Sequence, residues 1–169
     1  MLVSNFLIPV SDRVPVNHSS ADSQPLAHLL ERVAGGYVNR QKDFSFVELG
    51  QGNINDTYLV TCSDASFILQ RINKRIFPEP WKVADNTALV SSHLKRSVTT
   101  DDFPEILTSR DGRNYVIDEQ GGTWRAQSYI EGAMVHQRIS SPDQSFQVGR
   151  CLGRFHRGVA GLEPDRLAK

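Results

Sequence analysis

Three short β-type segments between residues 44 and 72 constrain this chain more than any other feature. They are "FSFVEL" (44–49), "TYLVTC" (57–62) and "SFILQRI" (66–72), and all three are rich in β-branched and aromatic residues. Only "SDA" (63–65) separates the second segment from the third, which leaves room for a tight turn. The pattern therefore predicts an antiparallel meander of three strands.

Apolar residues at helical spacing flank the meander on both sides. Before it, a helix is predicted over residues 24–40, although Gly35 and Gly36 weaken the end of that helix. After it, Pro80 suits a first helical turn and opens a second helix, which runs to about Arg96. The meander is thus expected to lie between two helices in the chain.

Two glycine-containing turns predict two further hairpins. The Asp-Gly turn in "RDGR" (110–113) lies between the β-type segments 106–108 and 115–117. The turn "EQGG" (119–122) then joins 115–117 to the longer segment 123–130. These segments are expected to extend the antiparallel sheet.

A third helix is predicted to begin at "SSPDQ". Ser141 is its expected N-cap, with Pro142 at the first helical position and Gln144 three residues after the cap. Its expected buried side consists of Phe146, Leu152, Phe155 and Val159. The order of strands and helices indicates an α+β fold, in which one helix packs against an antiparallel sheet.

Charge and cysteine content narrow the classes of function. The chain carries 19 basic and 19 acidic residues, so it lacks the basic excess that indicates a nucleic-acid partner. Cys62 and Cys151 are interpreted as free buried thiols in a reducing compartment, rather than as a disulfide. The N-terminus lacks the pattern of a signal peptide, and no run approaches the roughly 18 apolar residues of a membrane span. We therefore expect a soluble, cytoplasmic chain with no membrane partner.

The segment "LGQGNINDTYL" joins the first two strands of the meander. Gly50 and Gly52 permit a ligand to approach the backbone closely, and successive N–H groups in such a loop can form an anion site. Asn53, Asn55 and Thr57 add short polar side chains. The same residues also fit a long hairpin loop whose Asn and Asp side chains bond to their own backbone. From the loop alone, both interpretations stay open.

The position of this loop favours phosphate. A glycine loop between strands one and two, followed by a third strand and a helix, is the layout of a protein-kinase-like N-terminal lobe. In that lobe the loop covers the phosphates of ATP, and a lysine on the third strand contacts them.

Four segments together resemble the aminoglycoside-phosphotransferase-like kinase superfamily, and most of all its N-acetylhexosamine 1-kinase group. They are "GQGNINDTYLVT", "FILQRINKRIFPEPWKVADN", "LVSSHLKR" and "GGTWRAQSYIEG", and the likeness extends from about Phe46 to Leu167. The resemblance implies a protein-kinase-like N-lobe. Such a lobe has an antiparallel sheet of about five strands and one packed helix, here with an N-terminal helix and a C-terminal helix added.

The resemblance also implies an activity and a division of the chain. The superfamily transfers the γ-phosphate of ATP, with Mg²⁺, to a sugar or another small molecule. In the most similar group the acceptor is the anomeric hydroxyl of an N-acetylhexosamine. Residues 24–131 would form the N-lobe with its preceding helix, and 132–169 the hinge or linker and the first helix of a truncated C-lobe. Residues 1–23 are expected to form a flexible arm on composition alone, because they are rich in Ser, Asp, Asn and Pro and show no period.

Site residues follow from the resemblance position by position. The residues it assigns to the nucleotide are Gly50, Gln51, Gly52, Asn53, Asn55, Thr57, Gln70, Asn86, Ser128, Tyr129, Ile130 and Glu131. Gln70 stands where a kinase lysine is expected, and the neighbouring cation Arg71 points to the other face of the strand. Asn86 or Asp85 would be the helix residue that reaches Gln70, and the alternative for Asn86 is a helix-core asparagine bonded to nearby backbone. The backbone of 128–131 would hold adenine, and the alternative is a last edge strand that leaves the sheet.

One part of the kinase pattern is missing from these 169 residues. None of the five histidines is followed two positions later by Asp, so no H-x-D-x-x-x-x-N catalytic loop is present. We therefore expect an N-terminal portion that is inactive alone, with the metal ligands and the sugar-acceptor site in a missing C-lobe. Its last helix would then expose Phe155, Leu152 and Val159, and we expect it either to pack onto its own N-lobe or to self-associate through this patch. The alternative is a stand-alone nucleotide-binding, regulatory or protein-interaction module without catalysis.

Overall fold

One antiparallel sheet and three α-helices form an α+β fold in the described part of the chain. The computed structural model describes residues 13–15, 24–38, 43–49, 54–63, 65–97, 103–132 and 138–169. The helices are α1 (Gln24–Ala34), α2 (Pro80–Ser97) and α3 (Pro142–Val159), followed by a short 3-10 turn at Pro164–Arg166. The strands are β1 (Arg13–Pro15), β2 (Ser45–Leu49), β3 (Asp56–Cys62), β4 (Ala65–Ile72), β5 (Ile106–Leu107), β6 (Val116–Ile117) and β7 (Thr123–Ser128).

The sheet is open, and its strands follow the order β1-β2-β3-β4-β7-β5, with β6 also paired to β7. Every pairing is antiparallel, so the predicted meander β2-β3-β4 is confirmed. The strand β1 lies within the predicted N-terminal arm and pairs with β2, while the rest of that arm is outside the described residues. The strand β4 lies between β3 and β7, so both of its edges are covered.

The predicted hairpin between β5 and β6 is wrong. Both strands pair with β7, β5 through Leu107 opposite Ala126 and β6 through Val116 opposite Trp124. β5 and β6 lie one after the other along the same edge of β7, and the loop between them interrupts this edge. Ser109 donates its N–H to the Arg113 carbonyl at 2.8 Å and draws the loop out of the edge. The Asp-Gly turn itself is present, and the second predicted hairpin, β6-β7, is confirmed.

The helix α1 ends at Ala34, earlier than the predicted end at Arg40, which lies outside the described residues. A Cβ on Gly36 would lie 2.8 Å from the Val116 side chain, so only glycine allows β6 to approach this closely. Tyr37 then turns into the core, where its hydroxyl donates to the Trp124 carbonyl at 2.8 Å. The chain therefore leaves the helix to reach the sheet.

The main core lies between α1 and one face of the sheet. Its buried members are Leu30, Val33, Ala34, Tyr37, Phe46, Tyr58, Val60, Phe67, Leu69, Trp124 and Ala126. The opposite face of the sheet meets α2, from which Ala84 and Leu94 are buried. These two surfaces are called the α1 face and the α2 face below.

The helix α3 begins as predicted, and the Ser141 side chain accepts a hydrogen bond from the Gln144 N–H at 3.1 Å. Its predicted buried side is only half right. Phe155 is partly buried, with its ring centre 6.1 Å from that of Phe103, whereas Phe146 and Leu152 are 65% and 53% exposed. The helix α3 packs against α2, and Gly158 is its one fully buried residue. Cys151, which was predicted to be buried, is exposed on this helix, whereas Cys62 is buried. No helix among the described residues is long and apolar enough to cross a membrane.

Candidate functional site

Strand alternation places Gln70 and Arg71 of β4 on opposite faces of the sheet, as predicted. Gln70 lies opposite Thr57 and Arg125 on the α2 face, and Arg71 lies opposite Asp56 and Trp124 on the α1 face. The two faces therefore carry different polar groups at the same level of the sheet. The functional role that the sequence predicts belongs to Gln70, on the α2 face.

A chain of side-chain hydrogen bonds crosses the α2 face from β3 to α2. Gln70 donates from Nε2 to the Thr57 hydroxyl at 3.0 Å. Its Oε1 accepts two hydrogen bonds from Arg125, from Nε at 3.0 Å and from Nη2 at 2.7 Å. The Nη1 of Arg125 donates to the Thr87 hydroxyl at 2.7 Å. We call these four residues the Gln70 network; it joins three strands to α2.

Arg125 is the cation of this network, and the sequence did not point to it. Its side chain is half-buried, and burial lowers the pKa of the guanidinium below its ordinary range. Both of its partners, Gln70 and Thr87, are neutral. Within the described residues no carboxylate forms an ion pair with Arg125. The available signal was the alternation along β7, which places Arg125 on the α2 face.

The prediction that Asn86 or Asp85 reaches Gln70 is wrong. Both side-chain ends of Asn86 bond to the backbone of Ala168, with Nδ2 donating at 3.0 Å and Oδ1 accepting at 2.8 Å. Asp85 accepts a hydrogen bond from the Asn114 side chain at 2.9 Å. Thr87 instead provides the contact from the helix, because it occupies the α2 position that faces Arg125.

The base of the glycine loop is held by an asparagine pair. The Asn55 side-chain oxygen accepts from the backbone N–H of Asn73 at 2.9 Å, and the Asn73 side chain donates to the Ile54 carbonyl at 2.9 Å. Asn55 therefore links the start of β3 to the end of β4. The predicted loop residues Gly50, Gln51, Gly52 and Asn53 lie outside the described residues.

The predicted adenine-binding segment follows β7. Ser128 is the last residue of β7, and its N–H donates to the Glu105 carbonyl at 2.8 Å. The Ser128 hydroxyl accepts from the Glu105 N–H at 2.9 Å. Tyr129, Ile130 and Glu131 lie beyond the last pair of the β4-β7 ladder, so their backbone leaves the sheet. Because the Ser128 N–H is already bonded to Glu105, a ligand that accepts from a backbone N–H of this segment would bind to one of these three residues.

The α1 face has its own polar centre at Asp118, which sequence reasoning missed. Its carboxylate accepts from the Gly122 N–H at 2.7 Å, and from the Gln120 N–H and the Trp124 indole at 2.8 Å each. A Cβ on Gly122 would lie 2.4 Å from this carboxylate, which explains the glycine. Burial alone would raise the pKa of Asp118, but these hydrogen bonds and the charge of Arg71 lower it overall. The available signal was an Asp placed before "GGTW".

An open cleft of about 480 Å³ lies where β3 begins and β4 ends. Arg71, Lys74 and Arg75 supply its positive charge, and Asp56 supplies one carboxylate. The wall of the cleft includes Gly121 and Gly122 from the β6-β7 turn. Since Arg71 points away from Gln70, this cleft is separate from the Gln70 network.

No known protein-family model matches the chain. The likeness between residues 46 and 167 and the kinase superfamily therefore stays a resemblance.

Proposed function

We propose that this chain is the ATP-binding N-terminal lobe of a small-molecule kinase, with the protein-kinase-like arrangement of an antiparallel sheet and one packed helix. The acceptor we propose is a sugar hydroxyl, namely the anomeric hydroxyl of an N-acetylhexosamine. The nucleotide would lie on the α2 face. The acceptor is taken from the resemblance alone.

The observation that carries this proposal is the Gln70 network. In protein kinases a polar side chain on the third strand is held by a side chain of the helix that follows, and this pair positions the phosphates. Here the third strand of the meander is likewise linked to the following helix, through Gln70, Arg125 and Thr87. The same two elements are joined, although the lysine–glutamate ion pair is replaced by an amide, a guanidinium and a hydroxyl.

The rest of the α2 face offers a surface for adenine. Val47, Leu59 and Ile68 lie opposite one another on β2, β3 and β4, on the same face as Gln70. An apolar patch beside a few fixed polar groups is typical of small-molecule sites. Ile68 pairs with Gln127 near the end of β7, from which residues 129–131 leave the sheet. The phosphates would point toward the start of β3, which follows the glycine loop in the sequence.

Binding, and not catalysis, is what we assign to these 169 residues. Phosphoryl transfer needs a base and metal ligands in addition to a phosphate cradle. The sequence contains no H-x-D-x-x-x-x-N segment that could supply them. The proposal therefore places the Mg²⁺ ligands and the acceptor contacts outside these residues.

Calorimetric titration of the chain with a non-hydrolysable ATP analogue tests the binding proposal. We expect saturable binding at micromolar to millimolar concentration, and a loss of at least about tenfold in affinity for Gly52→Val, because a side chain would obstruct the phosphate loop. Gly149→Val on α3 is the matched control, since a Cβ there meets nothing within 4 Å. An absence of binding, or equal affinity in both variants, contradicts the proposal. A phosphotransfer screen of the encoded gene product with amino sugars tests the acceptor.

A further inference from the structure

Arg125 differs from an ordinary structural arginine in the partners that it has. Arginines on neighbouring strands commonly find a carboxylate, as Arg71 does with Asp118 at 3.8 Å. Arg125 contacts only the Gln70 amide and the Thr87 hydroxyl in the described part of the chain. A half-buried cation without a counter-ion is costly, and an anion bound beside it would offset that cost.

The guanidinium also has donors to spare. It carries five N–H groups. Nε and one N–H of Nη2 bond to Gln70, and one N–H of Nη1 bonds to Thr87. One N–H on each terminal nitrogen therefore has no acceptor among the described residues, and guanidinium N–H groups bind the oxygens of a phosphate.

Both partners hold the guanidinium in one orientation. The Thr87 hydroxyl donates its own proton to the Val83 carbonyl at 2.6 Å, so that its lone pair faces Arg125. Gln70 is fixed in turn by its bond to Thr57, which follows the glycine loop on β3. The arrangement leaves little side-chain entropy to be lost when an anion binds.

We propose that Arg125 supplies the phosphate-binding cation that strand β4 lacks on the α2 face, with Gln70 and Thr87 as its positioning residues. This inference rests on the proposed function, and it names the residue that would bind the phosphates of the nucleotide. Gln70 stands at the position of the expected lysine, and it accepts two hydrogen bonds from Arg125 on the neighbouring strand β7. The positive charge of the site is thus carried by a residue of β7 rather than of β4.

Calorimetric titrations with adenosine, ADP and pyrophosphate test this inference on wild type, Arg125→Met and Arg71→Met. Charged hydrogen bonds of this kind correspond to roughly tenfold to hundredfold in affinity. Arg125→Met should lose that factor for ADP and pyrophosphate and keep the affinity for adenosine. Arg71→Met should bind all three as wild type does. The inference is overturned if Arg125→Met retains its affinity for ADP, or if Arg71→Met loses as much, since the anion would then occupy the cleft.

The outcomes separate this inference from the proposed function. ADP binding to wild type and Arg125→Met with equal affinity removes the inference and leaves nucleotide binding standing. Pyrophosphate binding that needs Arg125, without any gain from adenine in ADP, keeps the anion site and removes the nucleotide. Failure of all three ligands to bind wild type removes both.

A second readout guards against a variant that does not fold. The ¹H–¹⁵N signal of the Arg125 Nε in the wild-type chain should shift when ADP is added, while that of Arg71 stays unchanged. An unchanged Arg125 signal at saturating ADP overturns the inference, whatever the variants do.

Discussion

Two arginines at the same level of the sheet have opposite surroundings. Arg71 on β4 lies 5.8 Å from the centre of the Trp124 ring and 3.8 Å from the Asp118 carboxylate. Arg125 on β7 has an amide and a hydroxyl instead. The two cations lie on different strands of the β4-β7 pair. Arg125 is on β7, opposite Gln70, and Arg71 is on β4, opposite Trp124. On the α1 face Asp118 lies beside the cation, whereas on the α2 face no carboxylate among the described residues forms an ion pair with Arg125.

The largest expected effect belongs to the α1 face. Trp124→Ala should lower the free energy of unfolding by about 3–5 kcal/mol, because it empties a fully buried site and removes the indole partner of Asp118. Urea unfolding measures this loss. Trp81→Ala is the control; Trp81 is partly exposed and should cost clearly less. Equal losses would contradict the assignment of Trp124 to the core.

Asp118→Ala should have the second-largest effect, a loss of about 3 kcal/mol in the free energy of unfolding. The substitution leaves two backbone N–H groups, the Trp124 indole and Arg71 without their shared acceptor. Glu119→Ala removes a neighbouring exposed carboxylate and should change stability little. A loss in Asp118→Ala no larger than in Glu119→Ala would show that Arg71 does not depend on this centre.

Acid should destabilise the protein partly through Asp118. Its pKa is lower in the folded chain than its ordinary value of 3.8, so the folded form binds the proton less tightly than the unfolded form. The stabilisation is complete above the ordinary value and is lost as the pH falls below it. Wild type should therefore lose more stability than Asp118→Asn between about pH 5 and pH 2. Parallel pH profiles of the two proteins would contradict this.

The smallest expected effect is the one that compares the two arginines directly. Arg71→Met should cost about 1 kcal/mol, because Asp118 loses its cation and Trp124 its stacked group. Arg125→Met should cost less, since the buried charge that it removes has no carboxylate partner in the described residues. Chemical unfolding of both variants tests this order. A larger loss for Arg125→Met would make Arg125 a structural residue and would weaken the case for an external anion.

The correct predictions rest on patterns among residues that are close together in the sequence. The meander β2-β3-β4 was predictable because the alternation is clear and the β3-β4 turn is short. The same alternation predicted that Gln70 and Arg71 occupy opposite faces. The start of α3 was predictable because Ser141 and Pro142 form a complete helix-start signal.

The errors all concern contacts between distant parts of the chain. Asn86 bonds to Ala168, which is 82 residues away in sequence, so no spacing near Asn86 could predict its partner. Arg125 meets Gln70 only because β7 is placed beside β4 in one particular register. The interrupted edge formed by β5 and β6 likewise depends on β7, and a local Asp-Gly turn predicts a hairpin there instead.

A titration of the isotope-labelled chain with ATP, followed by ¹H–¹⁵N NMR, tests the central claim most directly. The account predicts that shifts concentrate on the α2 face, at Thr57, Gln70 and Arg125, and at Tyr129 beyond β7. Shifts confined to the cleft around Arg71 and Gly121, or no shifts at all, would contradict nucleotide binding on the α2 face.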